Sequence, residues 1–410
     1  MPQVPSVLRA HCSAALLGVL LAGAPLSSAL AQRPVTREEA VEAALARGPR
    51  VAVAATDTAA SRAELMTARA FQNPLLSASY TKDVPQYHAT VEPPLDFPWL
   101  RGARIRAAAE ANVSTVLRFR FERASSRLDA EVAYTAALAA GAHARLSRRT
   151  ALDADSLLRM AVVRREAGDA SELDVQLATV NAGRLANDAA ADSAGAIAAL
   201  LEVQRVMGLA SDSVAVALAD TLDLPARDTG PAAGVTLQVA SAEAAVRSAD
   251  ASLALARGNV FAAPSLTLGF DSHDPTGAET GLLPTFGLAL TFPLFNWNRG
   301  EIALAAAGRD RARAELVIAR RESDAALARA RRDLAVAVQR AGRDRRLVAS
   351  ADRVAAMSLA AYAEGAAALP SVLEAQRQAR EALGHLIDDL AAASAADAAM
   401  HLFSATEVSP

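Results

Sequence analysis

Cysteine is nearly missing from this chain: Cys12 is the only one in 410 residues. A disulfide framework, a Cys-based metal site and thiol catalysis are thereby excluded beyond residue 12. Aromatic residues are scarce too, at 4%, although 52% of the chain is hydrophobic. The apolar share is therefore largely alanine, which favours helices packed at close range over a bulky core. Neither sign of charge dominates. Lys+Arg 42 against Asp+Glu 45 gives a formal net charge of -3, so no basic excess points to a nucleic-acid partner. Motifs of chemistry are absent as well: there is no HExxH, no CxxC, no Gly-rich phosphate loop and no nucleophile elbow. The six histidines (His11, His88, His143, His273, His385, His401) are scattered, and the adjacent Asp388 and Asp389 point in different directions on a helix, as surface residues. His88 and His273 lie beside two polar loops, where isolated histidines are ordinarily rim residues. No catalytic, cofactor-binding or metal site is expected, and no enzyme activity.

Past residue 31 no run is long and apolar enough for a membrane helix. Before it, Arg9 precedes the apolar stretch Ser13 to Leu26, and Ala29-Leu30-Ala31 supplies small residues two apart, the layout of a secretory signal over 1-31. A buried or anchoring helix is the alternative, but the run is short for a span. Cys12 sits inside this segment behind Arg9-Ala10-His11, which is not a lipoprotein pattern.

What the chain does contain is a pair of strand hairpins among helices. In Phe286 to Phe292, the side chains of Phe286, Leu288, Leu290 and Phe292 share one side of an extended strand while Gly287, Ala289 and Thr291 share the other. Upstream, Leu266, Leu268 and Phe270 alternate with Thr267, Gly269 and Asp271, giving strands at about 264-272 and 285-293. The pattern occurs twice. NPLLSASYTKD from Asn73 parallels APSLTLGFDSH from Ala263, and PWLRG from Pro98 parallels PLFNWNRG from Pro293, so strands are also expected at about 74-83 and 88-97. Pro93-Pro94 interrupts the second of these.

Each half then reads helix, strand, strand, long helix, turn, helix. Thr36 and Glu39 form a capping box for the first helix. Rods run from Gly102 to Ala167 and from Gly300 to Glu364, each followed by a Gly-containing break and a returning helix, Glu172 to Met207 and Ser371 to Phe403. The alanine-rich rods suit coiled-coil packing. The expected division is a first repeat over 32-208, a linker over 209-234, a second repeat over 235-404 and a tail over 405-410.

Four strands with one apolar face need a cover. In lipid, sheets exist only as closed barrels, and four strands cannot enclose a lumen, whereas three copies would supply 12. The expected fold is therefore mainly α with a transmembrane β-barrel contribution: duplicated helix-hairpin-helix repeats, completed by three chains above a long α-helical tunnel. A small sheet packed on its own helices in an exported scaffold is the alternative, and a periplasmic enzyme with an unrecognised site the third.

The order of these features resembles the TolC family of outer-membrane efflux proteins. It rests on the duplicated plan, Asn-Pro or Ala-Pro opening each first strand, Phe-Pro before Arg-Gly closing each second, and breaks followed by Leu173-Asp174-Val175-Gln176-Leu177-Ala178 and Val372-Leu373-Glu374-Ala375-Gln376. The compact length and the DFPWLRGAR turn are most similar to the CzcC-like heavy-metal branch. The resemblance implies a homotrimer in the outer membrane of a Gram-negative-type cell, in contact with outer-membrane lipid. It would pass substrate delivered by a periplasmic adaptor and a proton-driven inner-membrane pump. It further implies that Gly168, Asp169, Ser171, Glu172 and Asp174, with Glu364, Gly365 and Glu374, form the periplasmic tip, carrying the adaptor contact and the entrance. An inward-facing carboxylate there would become a ring favouring cations; the plainer reading is a set of solvated charges and caps beside a turn.

Overall fold

The structure, a computed structural model, describes residues 33–209, 213–225, 234–260, 264–272, 281–289 and 293–404. The expected signal, Leu290, Phe292, His273 and most of the second hairpin loop lie outside them. Strand β1 (Arg33–Val35) leads into helices α1 (Arg37–Arg47) and α2 (Pro49–Arg69). Thr36 caps α1 with its hydroxyl on the Glu39 amide, and the Glu39 carboxylate returns to the Thr36 amide at 3.0 Å. Strands β2 (Leu75–Tyr80) and β3 (Tyr87–Glu92) follow, then the rod α3 (Pro98–Glu166), 69 residues or roughly 100 Å long. It starts at Pro98, four residues before the sequence suggests, because proline is tolerated in a first helical turn.

Helix α4 (Glu172–Val206) returns, and β4 (Val216–Leu218) precedes the second copy of the plan. That copy comprises α5 (Leu237–Gly258), β5 (Ser265–Ser272), β6 (Leu283–Ala289), the 65-residue rod α6 (Arg299–Ala363) and α7 (Leu369–Ser404). Along α6 up to its last turns the buried positions are small: Ala312, Ala319, Ser323, Ala330, Ala337 and Ala341 recur at seven- and four-residue spacings. This is a seam with alanine in place of leucine, which lets the neighbouring backbone approach closely.

Helix packing gives the lateral order α2 and α4, then α3, then α5 and α7, then α6. The sheet repeats that order as β2-β3-β5-β6, antiparallel throughout. Each strand extends a helix, so strand and helix edges coincide: β2 with α2 on one side, β6 with α6 on the other. The two repeats are joined at β3–β5, where Gly269 lies against Ala89 so closely that a Cβ would meet the Ala89 carbonyl oxygen at 2.7 Å. The proline pair ends β3 at Glu92 without ending the register. Leu266 still donates to the Pro93 carbonyl at 3.1 Å and Leu95 to the Pro264 carbonyl at 2.7 Å. What is lost is the ladder donors proline lacks.

Halfway along the rods, β1 and β4 pair in parallel, Arg33 to Val216 through Val35 to Leu218. Val35, Val216, Tyr134, Leu138, Val203 and Met207 form a buried cluster there. Alternation gave no sign of three-residue strands, and β4 falls inside the segment assigned to the linker.

Candidate functional site

The sheet has two chemically different faces. Strand register places Leu76, Ala78 and Tyr80 beside Val91, Ala89 and Tyr87, and these beside Leu268, Phe270, Leu266, Phe286 and Leu288 on one face. Leu76, Tyr80, Phe270, Phe286 and Leu288 are all exposed, Phe286 at 77%. Exposed apolar area of this extent, contiguous over four strands, marks a surface meant for something other than water. Among the described residues no helix of the same chain covers it. The opposite face carries Ser77, Ser79, Thr90, His88, Thr267, Asp271 and Thr285, knitted by side-chain hydrogen bonds. Ser77 and Thr90 hydroxyls are 2.7 Å apart, His88 Nδ1 lies 2.7 Å from Asp271, and Thr285 donates to Asp271 at 2.9 Å. Of the strand residues named from sequence, Leu266, Leu268, Phe270, Phe286 and Leu288 share the apolar face.

At the far end of the rods both breaks have the same geometry. Gly168 takes φ 86° and Gly365 φ 80°, the left-handed conformation that favours glycine. In the first break Gly168 donates to the Arg165 carbonyl and Asp169 to that of Arg164; in the second, Gly365 donates to Tyr362 and Ala366 to Ala361. These are paired Schellman closures, which satisfy carbonyls the helix end would leave bare. Ser171 caps α4 and the Asp174 carboxylate returns to the Ser171 amide at 3.1 Å. Two copies of one helix-turn-helix thus meet at one place.

The eight residues named for this end are therefore brought together, but most of their charge is spoken for. Asp174 serves its cap, Glu172 pairs with Arg165 at 2.7 Å, and Glu374 is held by Arg377 at 2.6 Å and Gln378 at 2.8 Å. The Arg377 guanidinium, followed by the Gln378 amide, draws the exposed Glu374 carboxyl down to about 2. Asp169 and Glu364 are exposed, and among the described residues their carboxylates join no ion pair. The residue missed from sequence is Arg164. Its guanidinium donates to the Tyr362 carbonyl at 2.5 Å and to the Asp169 carbonyl at 3.2 Å, and lies 4.7 Å from the Tyr362 ring centre. One side chain on α3 thus pins the α6 turn to the α3–α4 turn. Tyr362 is buried in a cluster with Leu157, Val175, Leu369 and Val372, its hydroxyl without a partner there, and burial pushes its phenol up. No periodicity distinguishes Arg164 from the other rod arginines, which is why pattern reading passes over it.

Arg164→Ala removes two charged hydrogen bonds to carbonyls, each of order 1.5–3 kcal/mol. Amides of residues 165–169 and 362–366 are then expected to exchange with solvent about tenfold faster or more, measured by hydrogen exchange of the detergent-solubilised protein. Unchanged rates would show that the turns hold without the pin.

Elsewhere, Asp388 bonds His143 at 2.8 Å as an exposed pair, whereas the Asp389 side chain is only 15% exposed, against the surface expectation, with Arg340 at 4.0 Å. Burial, reinforced by neighbouring Asp344, raises its carboxyl. Among the described residues no three His, Cys, Asp or Glu stand in a metal-holding group, and no helix is long and apolar enough to cross a membrane.

No protein-family model and no curated protein matches the sequence. Solved structures do match. A membrane protein from Pseudomonas aeruginosa is similar over 90% of this chain and 93% of its own at 20% identity, with a TM-score of 0.76. CusC, described in connection with transmembrane channel formation, is similar over 90% and 92% at 16% identity and 0.76. The outer membrane protein VceC from Vibrio cholerae matches over 90% and 96% at 16% identity, again at 0.76. At these identities the likeness is one of fold, and it is the fold that the TolC-family resemblance implied.

Proposed function

We propose that this protein is the outer-membrane channel of a tripartite export system: a homotrimer whose 12 strands form a barrel in outer-membrane lipid and whose helices continue it as a tunnel through the periplasm. It conducts passively what a proton-driven inner-membrane pump and a periplasmic adaptor deliver. The observation that carries this reading is the two-faced, four-stranded sheet that has, among the described residues, both edges free and an uncovered apolar side. A lone open sheet cannot stay in lipid, because its edge amides and carbonyls would be unpaired. Pairing β6 of one copy with β2 of the next removes every edge. The helices support the same closure, since β2 with α2 and β6 with α6 mark the same two margins. Near the tip, exposed Leu173, Leu177 and Val180 on α4 and exposed Leu347, Val354 and Met357 on α6 give both margins an apolar strip. The scaffold alternative needs the sheet packed on its own helices, and among the described residues no helix covers that face.

The test is the purified mature protein: a detergent-dependent particle of three chains that forms discrete conductance steps in planar bilayers supports the reading, and a monomer soluble without detergent overturns it. Of the carboxylates named for the periplasmic tip, the proposed entrance, those of Asp169 and Glu364 join no ion pair among the described residues. The combined change Asp169→Asn and Glu364→Gln is expected to lower cation over anion permeability about twofold or more, read from reversal potentials in a salt gradient. The same pair of changes at Glu172 and Glu374, whose charges are already matched, is expected to leave the ratio within error. An equal response of both variants would remove the tip ring.

A further inference from the structure

One transverse chain of hydrogen bonds crosses the whole sheet at a single level. Thr81, just past β2, places its hydroxyl 3.1 Å from His88 Nε2 on β3; His88 Nδ1 lies 2.7 Å from the Asp271 carboxylate on β5; Asp271 accepts from the Thr285 hydroxyl on β6 at 2.9 Å. His88 and Asp271 are directly opposite residues in the β3–β5 register, so this pair bridges the two repeats on the polar face. We propose that His88 and Asp271 form the charge-selective element of the barrel lumen, making its preference for cations dependent on the protonation of His88. The inference rests on the channel reading above, which turns this face toward the passage and places three such pairs around it.

The geometry holds the imidazole in either state. An ionised carboxylate can only accept, so Nδ1 carries a proton when His88 is neutral, and Nε2 then accepts from Thr81. When Nε2 is protonated it donates to Thr81 Oγ1 instead, and the Thr81 hydroxyl still has the Asp83 carbonyl at 2.9 Å and the Pro85 carbonyl at 3.2 Å to receive its own proton. In either state both ring nitrogens keep a partner, and the pair gains or loses one charge without rebuilding the sheet. The side chains are only partly exposed, 29% for His88 and 24% for Asp271, which keeps them at the lumen wall.

The surrounding charge is sparse. On β2 the polar face offers Ser77 and Ser79, on β6 Thr285, and on β3 itself Thr90 and Glu92. Glu92 stands four residues away, about 13 Å along the strand. Lys82 and Asp83 lie in the turn next to Thr81. Histidine is the side chain that changes charge between pH 8 and pH 5. With the imidazole neutral each copy presents the Asp271 charge alone, three per barrel; with it protonated each pair is neutral. A unit charge roughly 7 Å from an ion in water alters local ion concentration about threefold. The barrel lumen therefore favours cations while the imidazole is neutral and loses that local preference once it is protonated.

The experiment is the reversal potential of the full trimer in planar bilayers under a KCl gradient, at pH 8 and pH 5. Wild type is expected to lose cation preference by about threefold on acidification. His88→Gln is expected to hold the pH 8 ratio at both values, and Asp271→Asn to start low and turn toward anions as His88 charges. His273→Gln, at the connection of β5 and β6, is expected to behave as wild type. A pH response that survives in His88→Gln, or disappears in His273→Gln, overturns the inference while conductance itself leaves the channel reading standing. A protein that forms no pore removes both.

Discussion

If the proposed trimeric barrel forms, Leu268→Arg is expected to abolish its accumulation in the outer membrane. Leu268 sits mid-strand in β5, opposite Val91 on one side and Phe286 on the other, at the centre of the apolar face. Arginine near the bilayer midplane of a barrel destabilises it by about 2–4 kcal/mol, and three-fold symmetry places three of them at one depth. The informative control is Ser79→Arg on β2, an exposed position of the polar face, where a water-filled lumen accommodates the guanidinium. The measurement is urea titration of the protein refolded into lipid vesicles, with fractionated membranes as the cellular counterpart. The readings of the protein differ here in sign. In a soluble scaffold Leu268→Arg exchanges an exposed apolar side chain for a charged one, and the protein becomes no less stable and more soluble. Equal tolerance of Leu268→Arg and Ser79→Arg would therefore end the barrel proposal.

That contrast between the two faces is legible in the amino-acid sequence, because β periodicity is a two-residue signal that survives in short strands. Leu266, Leu268 and Phe270 against Thr267, Gly269 and Asp271 already separate the faces. The rods are legible for a related reason: runs free of proline leave a helix nothing to stop it, and Gly168 and Gly365 mark the stops. Strand ends are less so. Expected strands of about ten residues at 74-83 and 88-97 shorten to Leu75–Tyr80 and Tyr87–Glu92, since prolines at 93 and 94 remove ladder donors and Thr81 turns to close the hairpin on Gln86 at 2.8 Å.

What sequence withholds is contact between residues far apart in the chain. Arg164 is one arginine among many until the α6 turn is placed beside it. His88 is a rim histidine until β5 brings Asp271, 183 positions later, to 2.7 Å. The carboxylates of the tip show the converse. Asp174 and Glu374 look available in sequence, yet the first is engaged in a helix cap and the second is paired with an arginine, so carboxylates counted along the chain overstate those free to act on a passing ion.

Long-range contact also governs the mid-rod collar, where Tyr134→Ala is expected to destabilise the protein by about 3–5 kcal/mol. Tyr134 is fully buried on α3 and donates its hydroxyl proton to the Val35 carbonyl at 2.8 Å, while the Asp220 amide approaches the phenol oxygen at 3.4 Å. One ring thus fastens β1, the segment after β4 and the rod, and its removal opens a cavity in the cluster that holds the seam between the repeats. Tyr134→Phe keeps the ring and removes one of the two hydrogen bonds to the Val35 carbonyl, which retains the Ala219 amide at 3.0 Å, for a loss of about 0.5–1.5 kcal/mol. The two variants separate packing from hydrogen bonding by thermal unfolding in detergent. Alkali provides an independent reading. Burial, followed by the Asp220 interaction, raises the phenol from its ordinary 10 to about 12. A folded-state value above the unfolded one means that the protonated phenol is favoured by folding; its contribution is complete below pH 10 and is lost as pH climbs through 12. Wild type should therefore lose stability over pH 10 to 12 more steeply than Tyr134→Phe, which has no proton to give up. Parallel pH curves for the two proteins would mean that the hydroxyl is not held as described, and that the collar is secured by its apolar contacts alone.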